Sequence, residues 1–305
     1  MAVVSPDTNP ERLRELWNND GWFVISGLLN TSQIAQARHD LQHEYYPDMR
    51  SVWREPDPEL RREQFVGITE FPFWKSPAMC RTTFHEAIYD VAELLLGSSP
   101  TLYMAHAWAK YTEAADYDQL LHRDFRNHTL VVPDQSRPQY RQMEAMLYLS
   151  DVDPDLGPTH LVPRRHTTEL PINPEFMARA GNEWLYDLEE SAYAPAGSLL
   201  VYSPDVFHRG TALTRPGGSR FVISVGYQPR GLSWAGYHCW PKAGSWPPLI
   251  DLIQQASPKQ LRALGFPLPE DPYWTAQIRA QVAERYPGLD LAAYLAPAGV
   301  VAAGR

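Results

Sequence analysis

TLYMAHAWAKY, residues 101–111, opens a series of similar runs: EAMLYLSDV (144–152), THLVP (159–163), GSLLVY (197–202) and RFVISVGYQ (220–228). Each is short, rich in β-branched or aromatic side chains, and bounded by proline, glycine or aspartate. Runs of this kind separated by turn residues predict an antiparallel sandwich or barrel, here extending to about Gln228. Helical signals lie on both sides. TNPERLRELWN (8–18) predicts an amphipathic helix with Pro10 in its first turn, and GWFVISGLL (21–29) a short buried strand ending at Gly27. TSQIAQARHDLQHEY (31–45) places Ile34, Ala37 and Leu41 at helical spacing, and TTFHEAIYDVAELLL (82–96) reads as a helix closed by Gly97. Between them, 47–80 reads as irregular, with scattered aromatics from Trp53 to Trp74. After the β region come SPKQLRALG, capped by Ser257, and PYWTAQIRAQVAERYPG (272–288). The expected architecture is mainly β with flanking helices, in one domain over 1–305. Its core spans about 101–230, with a helical region before it (1–100) and a helical extension after it (231–305).

Composition narrows the classes. Hydrophobic residues at 44% and charged residues at 21% exclude a disordered, collagen-like or coiled-coil chain. Prolines number 28 against 18 glycines, which favours ordered loops between short elements. The net charge of −9 comes without a lysine- or arginine-rich tract, so a nucleic acid is not an expected partner. Cys80 and Cys239 form neither a metal motif nor a disulfide framework, which fits a reducing cytoplasm. The N-terminal stretch has no secretory pattern, and no apolar run approaches the ~18 residues of a membrane span.

The chemistry lies in His122–Arg123–Asp124. In an extended strand residues i and i+2 share a face, so His122 and Asp124 present an imidazole and a carboxylate side by side with Arg123 turned away. A further histidine from another strand completes a two-histidine, one-carboxylate triad, which leaves open positions on Fe(II). His208, after SLLVYSPDVF and before Arg209–Gly210, is the candidate. Arg220 follows twelve residues on, and its planar fork suits the distal carboxylate of a dicarboxylate cosubstrate. Competing readings are that Asp124 pairs with Arg126, that His208 is a satisfied core histidine, and that Arg215 takes the place of Arg220. His39 and His43 read as surface histidines, and His128, His160 and His166 as structural ones.

Together these residues resemble the phytanoyl-CoA dioxygenases, a family of Fe(II)/2-oxoglutarate oxygenases. The resemblance runs through DGWFVISGLLNTSQIAQARHDL (20–41), His122–Asp124, LYLSDVDPDLGPTHLVPRRH (147–166) and His208 to Tyr227. Pro163–Arg164–Arg165–His166 is similar to the family's Pro-Gly-Ser-His turn, with two arginines replacing the small pair. The arginine here lies twelve past the second histidine, against the family's ten or eleven, with Gly217–Gly218 between. The resemblance implies a double-stranded β-helix (a cupin-like jelly roll), with Fe(II) held by His122, Asp124 and His208. It also implies 2-oxoglutarate anchored by Arg220, with His106, Met146 and Thr211 as further cosubstrate residues, and O2 as the oxidant. Related halogenases have a small residue in place of the metal carboxylate; Asp124 is present, so oxygenation of a small organic substrate is expected. A coenzyme A arm would draw on Arg137, Arg141, Arg164 and Arg165, which otherwise read as solvated surface. The flanks Trp53–Trp74 and Trp234–Trp246 read either as a lid or as ordinary packing. Two other functions stay open: an iron dioxygenase that does not use 2-oxoglutarate, and a silent jelly-roll binding protein.

Overall fold

The computed structural model describes residues 2–45, 66–71, 73, 75–98, 100–112, 117–125, 129–229, 231–232, 250, 253–254, 261, 266–267 and 269–294. Of the expected helix at 257–265 only Leu261 is among them, and of the Trp53–Trp74 flank only 66–71 and 73; the Trp234–Trp246 flank, Cys239, Arg126 and His128 lie outside these residues.

Two facing sheets form the core. The larger contains β1 (Val3–Val4), β2 (Trp22–Ile25), β3 (Val66–Glu70), β4 (Pro100–Tyr111), β6 (Met143–Tyr148), β10 (Leu199–Tyr202) and β12 (Ser219–Pro229). Their order is β1-β2-β10-β6-β12-β4-β3. The smaller sheet contains β5 (Leu121–His122), β7 (Thr159–Leu161), β8 (Phe176–Met177), β9 (Glu190–Ala192) and β11 (His208–Gly210), in the order β8-β5-β11-β7-β9. Apart from the parallel pair β1–β2, the strand pairs are antiparallel. This is the jelly roll. Three strands of the larger sheet come from the first hundred residues, so the sheet begins well before residue 101. The reason is visible in β2: WFVI is buried on both faces and must sit inside a sheet rather than in a helical cap.

Alternation sorts each central strand between two cores. Phe221, Ile223, Val225 and Tyr227 of β12 join Ala105, Ala107 and Ala109 of β4 beneath the helices. The intervening Val222, with Trp108, Met146 and Tyr148, faces the smaller sheet. The helices covering the outer face of the larger sheet are α1 (Pro10–Asn19), α2 (Thr31–Asp40), α3 (Pro77–Thr83) and α4 (Glu86–Leu96); the short α5 (Glu183–Tyr186) packs instead with Leu121, Val162 and Phe207, and α6 (Ala276–Arg285) lies further along the chain. Asn9 caps α1 by accepting from the Glu11 amide at 2.8 Å, and Leu13, Leu16 and Trp17 bury one face. Asn30 and Gln33 form a reciprocal capping box at α2.

The helix expected over 82–96 is two helices. Ser76 caps the first, with Pro77 in its first turn, and the chain breaks at Phe84–His85. The His85 ring then caps the second by accepting from the Ala87 amide at 3.2 Å. A histidine acting as a cap leaves no periodic signature. Gly97 ends the second helix at φ +70°, as expected. The C-terminal residues pack with Leu130, Val131 and Tyr140 in a separate apolar cluster. They grip the chain just beyond Asp124: Arg285 donates to the Thr129 carbonyl at 2.6 Å, and the Tyr273 hydroxyl to that of Val132 at 2.6 Å.

One glycine is dictated by close approach. Gly197 has φ +84°, and an added Cβ would lie 1.8 Å from the Leu29 carbonyl oxygen. Gly197→Ala is therefore expected to cost at least ~3 kcal/mol, combining left-handed strain with a backbone clash. Gly27→Ala, at φ +66° with open space around it, carries only the ~1–2 kcal/mol of strain. Urea unfolding of the two variants measures the difference. Among the described residues no helix is long and apolar enough to cross a membrane.

Candidate metal centre and its cavity

Register brings the two histidines together. β5 and β11 pair with His208 directly opposite His122, so residues far apart in sequence become cross-strand neighbours with ring centroids 4.5 Å apart. β5 ends at His122, and the Asp124 amide donates to the Pro204 carbonyl at 3.1 Å. That bond turns the carboxylate back onto the same face. Asp124 Oδ2 lies 3.1 Å from His208 Nε2, and Oδ1 lies 3.8 Å from His122 Nε2. One ligand atom from each of the three residues falls within 4.8 Å of the other two.

Both imidazoles are oriented from behind. His122 Nδ1 is 2.8 Å from the Leu120 carbonyl and His208 Nδ1 is 3.1 Å from that of Val206. A carbonyl only accepts, so each Nδ1 carries the proton and each Nε2 is left as the donor atom facing Asp124. Burial alone would push the His208 imidazole down, but the Asp124 carboxylate beside it, helped by the Val206 carbonyl and Glu144, raises it instead. Phe176 stacks on the His122 ring at 5.5 Å. Two imidazole nitrogens and one carboxylate oxygen on one side, with a cavity on the other, are a donor set suited to a divalent first-row metal with open positions.

Arg123 turns away from this face as expected, but into protein rather than solvent. It is 6% exposed, lies 4.3 Å from the centroid of Phe207, and donates to the carbonyls of Pro171 and Ile172. Residues 170–172 fold over it, which local alternation does not reveal.

Tyr202 stands behind Asp124. Its hydroxyl is 3.0 Å from Asp124 Oδ2 and 2.9 Å from Glu144 Oε2, and the Tyr103 hydroxyl donates to Glu144 Oε1 at 3.0 Å. Burial, then the carboxylates of Glu144 and Asp124, push the Tyr202 phenol well up, so it stays protonated and acts as a donor.

The triad opens into a cavity of about 530 Å³ whose lining includes His106, Trp108, Met146, Phe176, Lys110 and Arg220. Lys110 and Arg220 face each other across β4 and β12, 0% and 1% exposed. Burial, then the charge of Arg220, drive the Lys110 amine well below the usual lysine range, with Asp118 opposing them. The Arg220 guanidinium donates to the Gly157 carbonyl, while its buried Nε has no hydrogen-bond partner among the described residues. Arg215, the competing arginine, is instead at the surface and paired with Asp153. His106 and Met146 line the cavity; Thr211 is outside its lining and donates its hydroxyl to the Pro158 carbonyl at 2.7 Å.

The arginines considered for a coenzyme A arm are bonded elsewhere. Arg164 forms a two-pronged pair with Asp205 at 2.9 and 3.0 Å, and Arg165 pairs with Asp20. Arg137 pairs with Asp134 at 2.5 Å, and Arg141 donates to the Gln135 carbonyl at 2.8 Å. None of the four lines the triad's cavity. Pro163 is followed by a single tight turn at Arg164–His166, held by the Asp205 pair. His160 sits between Glu189 at 3.0 Å and Ser191 at 2.7 Å, a structural arrangement.

Sequence reasoning passed over Lys110, Glu144, Tyr103 and Tyr202. A signal was there for two of them: Lys110 and Glu144 are charged residues inside apolar strands, at positions whose neighbours i±2 face the cavity.

The sequence profile of the family described as phytanoyl-CoA dioxygenase (PhyH) matches residues 17–221. Dioxygenase ALT11 of Alternaria alternata is 22% identical over 287 residues, covering 87% of this chain and 85% of that protein. Among solved structures, the non-heme alpha ketoglutarate dependent carbocyclase SnoK from nogalamycin biosynthesis superposes with a TM-score of 0.57 at 16% identity, over 78% of this chain and 90% of its own. The epimerase SnoN of the same biosynthesis gives 0.56 at 19% identity, over 81% and 91%. HygX from Streptomyces hygroscopicus, crystallised with nickel and 2-oxoglutarate, gives 0.54 at 16% identity, over 74% and 89%. These three likenesses establish the fold.

Proposed function

This chain belongs to the phytanoyl-CoA dioxygenase family, and on that footing we propose that His122, Asp124 and His208 hold its iron and that Arg220 anchors its cosubstrate. The protein is a non-haem Fe(II)/2-oxoglutarate-dependent dioxygenase. With Fe(II), 2-oxoglutarate and O2 bound, such a centre supplies oxidation of a substrate C–H bond with release of succinate and CO2.

The protein's own contribution is placement. The two carbonyl-anchored imidazoles and the Asp124 carboxylate present three donor atoms on one face, leaving the cavity side free for cosubstrate and O2. At the cation end, Arg220 and Lys110 supply the charge that a distal carboxylate requires, and the unpartnered Nε of Arg220 is a donor awaiting an acceptor. The apolar walls around Trp108, Met146 and Phe176 exclude water from the oxidation site and accept an organic substrate. SnoN was crystallised with nogalamycin RO and HygX with hygromycin B, which supports a small organic molecule as substrate here too. A cytoplasmic location fits the unpaired Cys80.

The single observation carrying this reading is the convergence of the three ligand atoms within 4.8 Å. Purified protein incubated with Fe(II), 2-oxoglutarate and O2 is expected to release succinate slowly even without substrate. Iron binding without 2-oxoglutarate turnover, across a substrate screen, would point instead to a cosubstrate-independent dioxygenase. Failure to bind iron at all would leave a silent jelly-roll binding protein.

A further inference from the structure

We propose that Tyr202 is a positioning residue for the metal carboxylate: its hydroxyl lies between Asp124 and Glu144, Tyr103 holds Glu144 from the other side, and donation of the phenol proton to Asp124 fixes the plane of that carboxylate. The inference rests on Asp124 being a metal ligand.

Four strands build the device, β10, β6, β12 and, through Tyr103, β4. Tyr202 on β10 and Glu144 on β6 are cross-strand neighbours, and Gly226 on β12 flanks Glu144 on its other side. Gly226 has no side chain where the Tyr103 ring lies: an added Cβ would sit 2.6 Å from the ring's Cζ. The space beside Glu144 is thus given to Tyr103, whose hydroxyl occupies Glu144 Oε1. Oε2 is left to Tyr202. Glu144 is 0%, Tyr202 1% and Tyr103 2% exposed, so water does not compete for these bonds.

A phenol has one proton and lies here within reach of two carboxylates, so it donates to one at a time. Donation to Asp124 Oδ2 occupies one lone pair and stops rotation of the carboxylate about its Cβ–Cγ bond. Donation to Glu144 releases it. The partner of Tyr202 on the far side therefore decides how firmly Asp124 is aimed. Partners that orient metal ligands in this way are worth about 10–100-fold in metal affinity.

The test uses the full chain and Co(II), with affinity measured by chelator competition and ligand geometry by the visible d–d spectrum. Tyr202→Phe is expected to weaken Co(II) binding about 10–100-fold and to alter the spectrum. Glu144→Gln is expected to bind within about threefold of the wild type, because its amide donates to the Tyr202 oxygen and directs the phenol proton onto Asp124. Tyr103→Phe, which frees Glu144 while leaving the Tyr202–Asp124 contact, is expected to fall between them. A purely structural role would lower the melting temperature of the metal-free variants and leave their Co(II) affinities within twofold of wild type; that result overturns the proposal. If Tyr202→Phe does not fold, the other two variants decide: equal affinities for Glu144→Gln and Tyr103→Phe overturn it. His208→Ala serves as the control for the triad. Unchanged Co(II) binding in that variant rejects the ligand assignment itself and this inference with it, whereas a dead His208→Ala beside an unaffected Tyr202→Phe rejects the positioning role alone.

Discussion

Asp124→Ala is expected to lose Fe(II) binding and succinate release together. The carboxylate is the one anionic donor among the three, and it lies 3.1 Å from His208 Nε2 and 3.8 Å from His122 Nε2. Its removal takes away a ligand and half the reason the imidazoles stay aligned. It also removes the charge that raises His208 against the effect of burial. Loss of a partner one bond further out costs about 10–100-fold in metal affinity, so loss of the ligand itself is expected to exceed ~100-fold. Equilibrium dialysis against Fe(II) under argon, followed by succinate quantification in air, measures both quantities on one sample. Full turnover by Asp124→Ala would reject the triad. The fold should survive the change: the residue is nearly buried, but its loss relieves a desolvated carboxylate rather than opening an apolar void.

The second large effect is at the other end of the cavity. Arg220→Leu is expected to raise the 2-oxoglutarate dissociation constant about 100-fold, since two charge-assisted bonds are each worth ~1.5–3 kcal/mol and part of that is recovered by Lys110. Lys110→Met is expected to cost about tenfold and to remove a pH dependence. Burial, and then Arg220, make the free Lys110 amine hard to protonate, so in the empty cavity it is neutral at pH values where an exposed lysine is charged. A carboxylate arriving between the two residues draws the proton back. Binding therefore takes up a proton, and affinity falls by up to tenfold per unit as pH rises above the lowered Lys110 pKa toward the usual value near ~10.4. The unliganded fold shows the opposite slope over the same window. The unfolded chain binds a proton that the folded one lacks, so stability rises with pH there. Calorimetric titration of metal-loaded protein in two buffers of different ionisation enthalpy measures the uptake directly. Equal heats in both buffers at alkaline pH would show that Lys110 does not respond to the cosubstrate.

The parts of the site legible in sequence are those encoded by short spacing. His122 and Asp124 are two apart at a strand end. RFVISVGYQ alternates strictly enough to place Arg220 on the opposite face from Phe221 and Ile223, and the structure puts it in the cavity. Helix limits were legible where the first turn carries a standard signal, as with Pro10, although whether Thr8 or Asn9 caps it was settled by the fold in favour of Asn9, and illegible where His85 does that work. The same contrast holds for Arg123: alternation turns it from the metal face, but the loop at 170–172 that covers it belongs to another part of the chain.

From its own residues the chain determined that it would form a β sandwich with helical cover, and which side-chain chemistry it carries: imidazole and carboxylate two residues apart, and a later histidine followed by an arginine. Periodicity is a local property, and it survives without knowledge of the partner strand. Tertiary structure alone decided that His208 pairs opposite His122, that Lys110 meets Arg220 across β4 and β12, and that Glu144 reaches Asp124 through Tyr202. Each of these depends on which strands pair and in what register. Register is set by burying whole faces against distant segments, and a shift of one residue would turn every one of these side chains to the other side of the sheet.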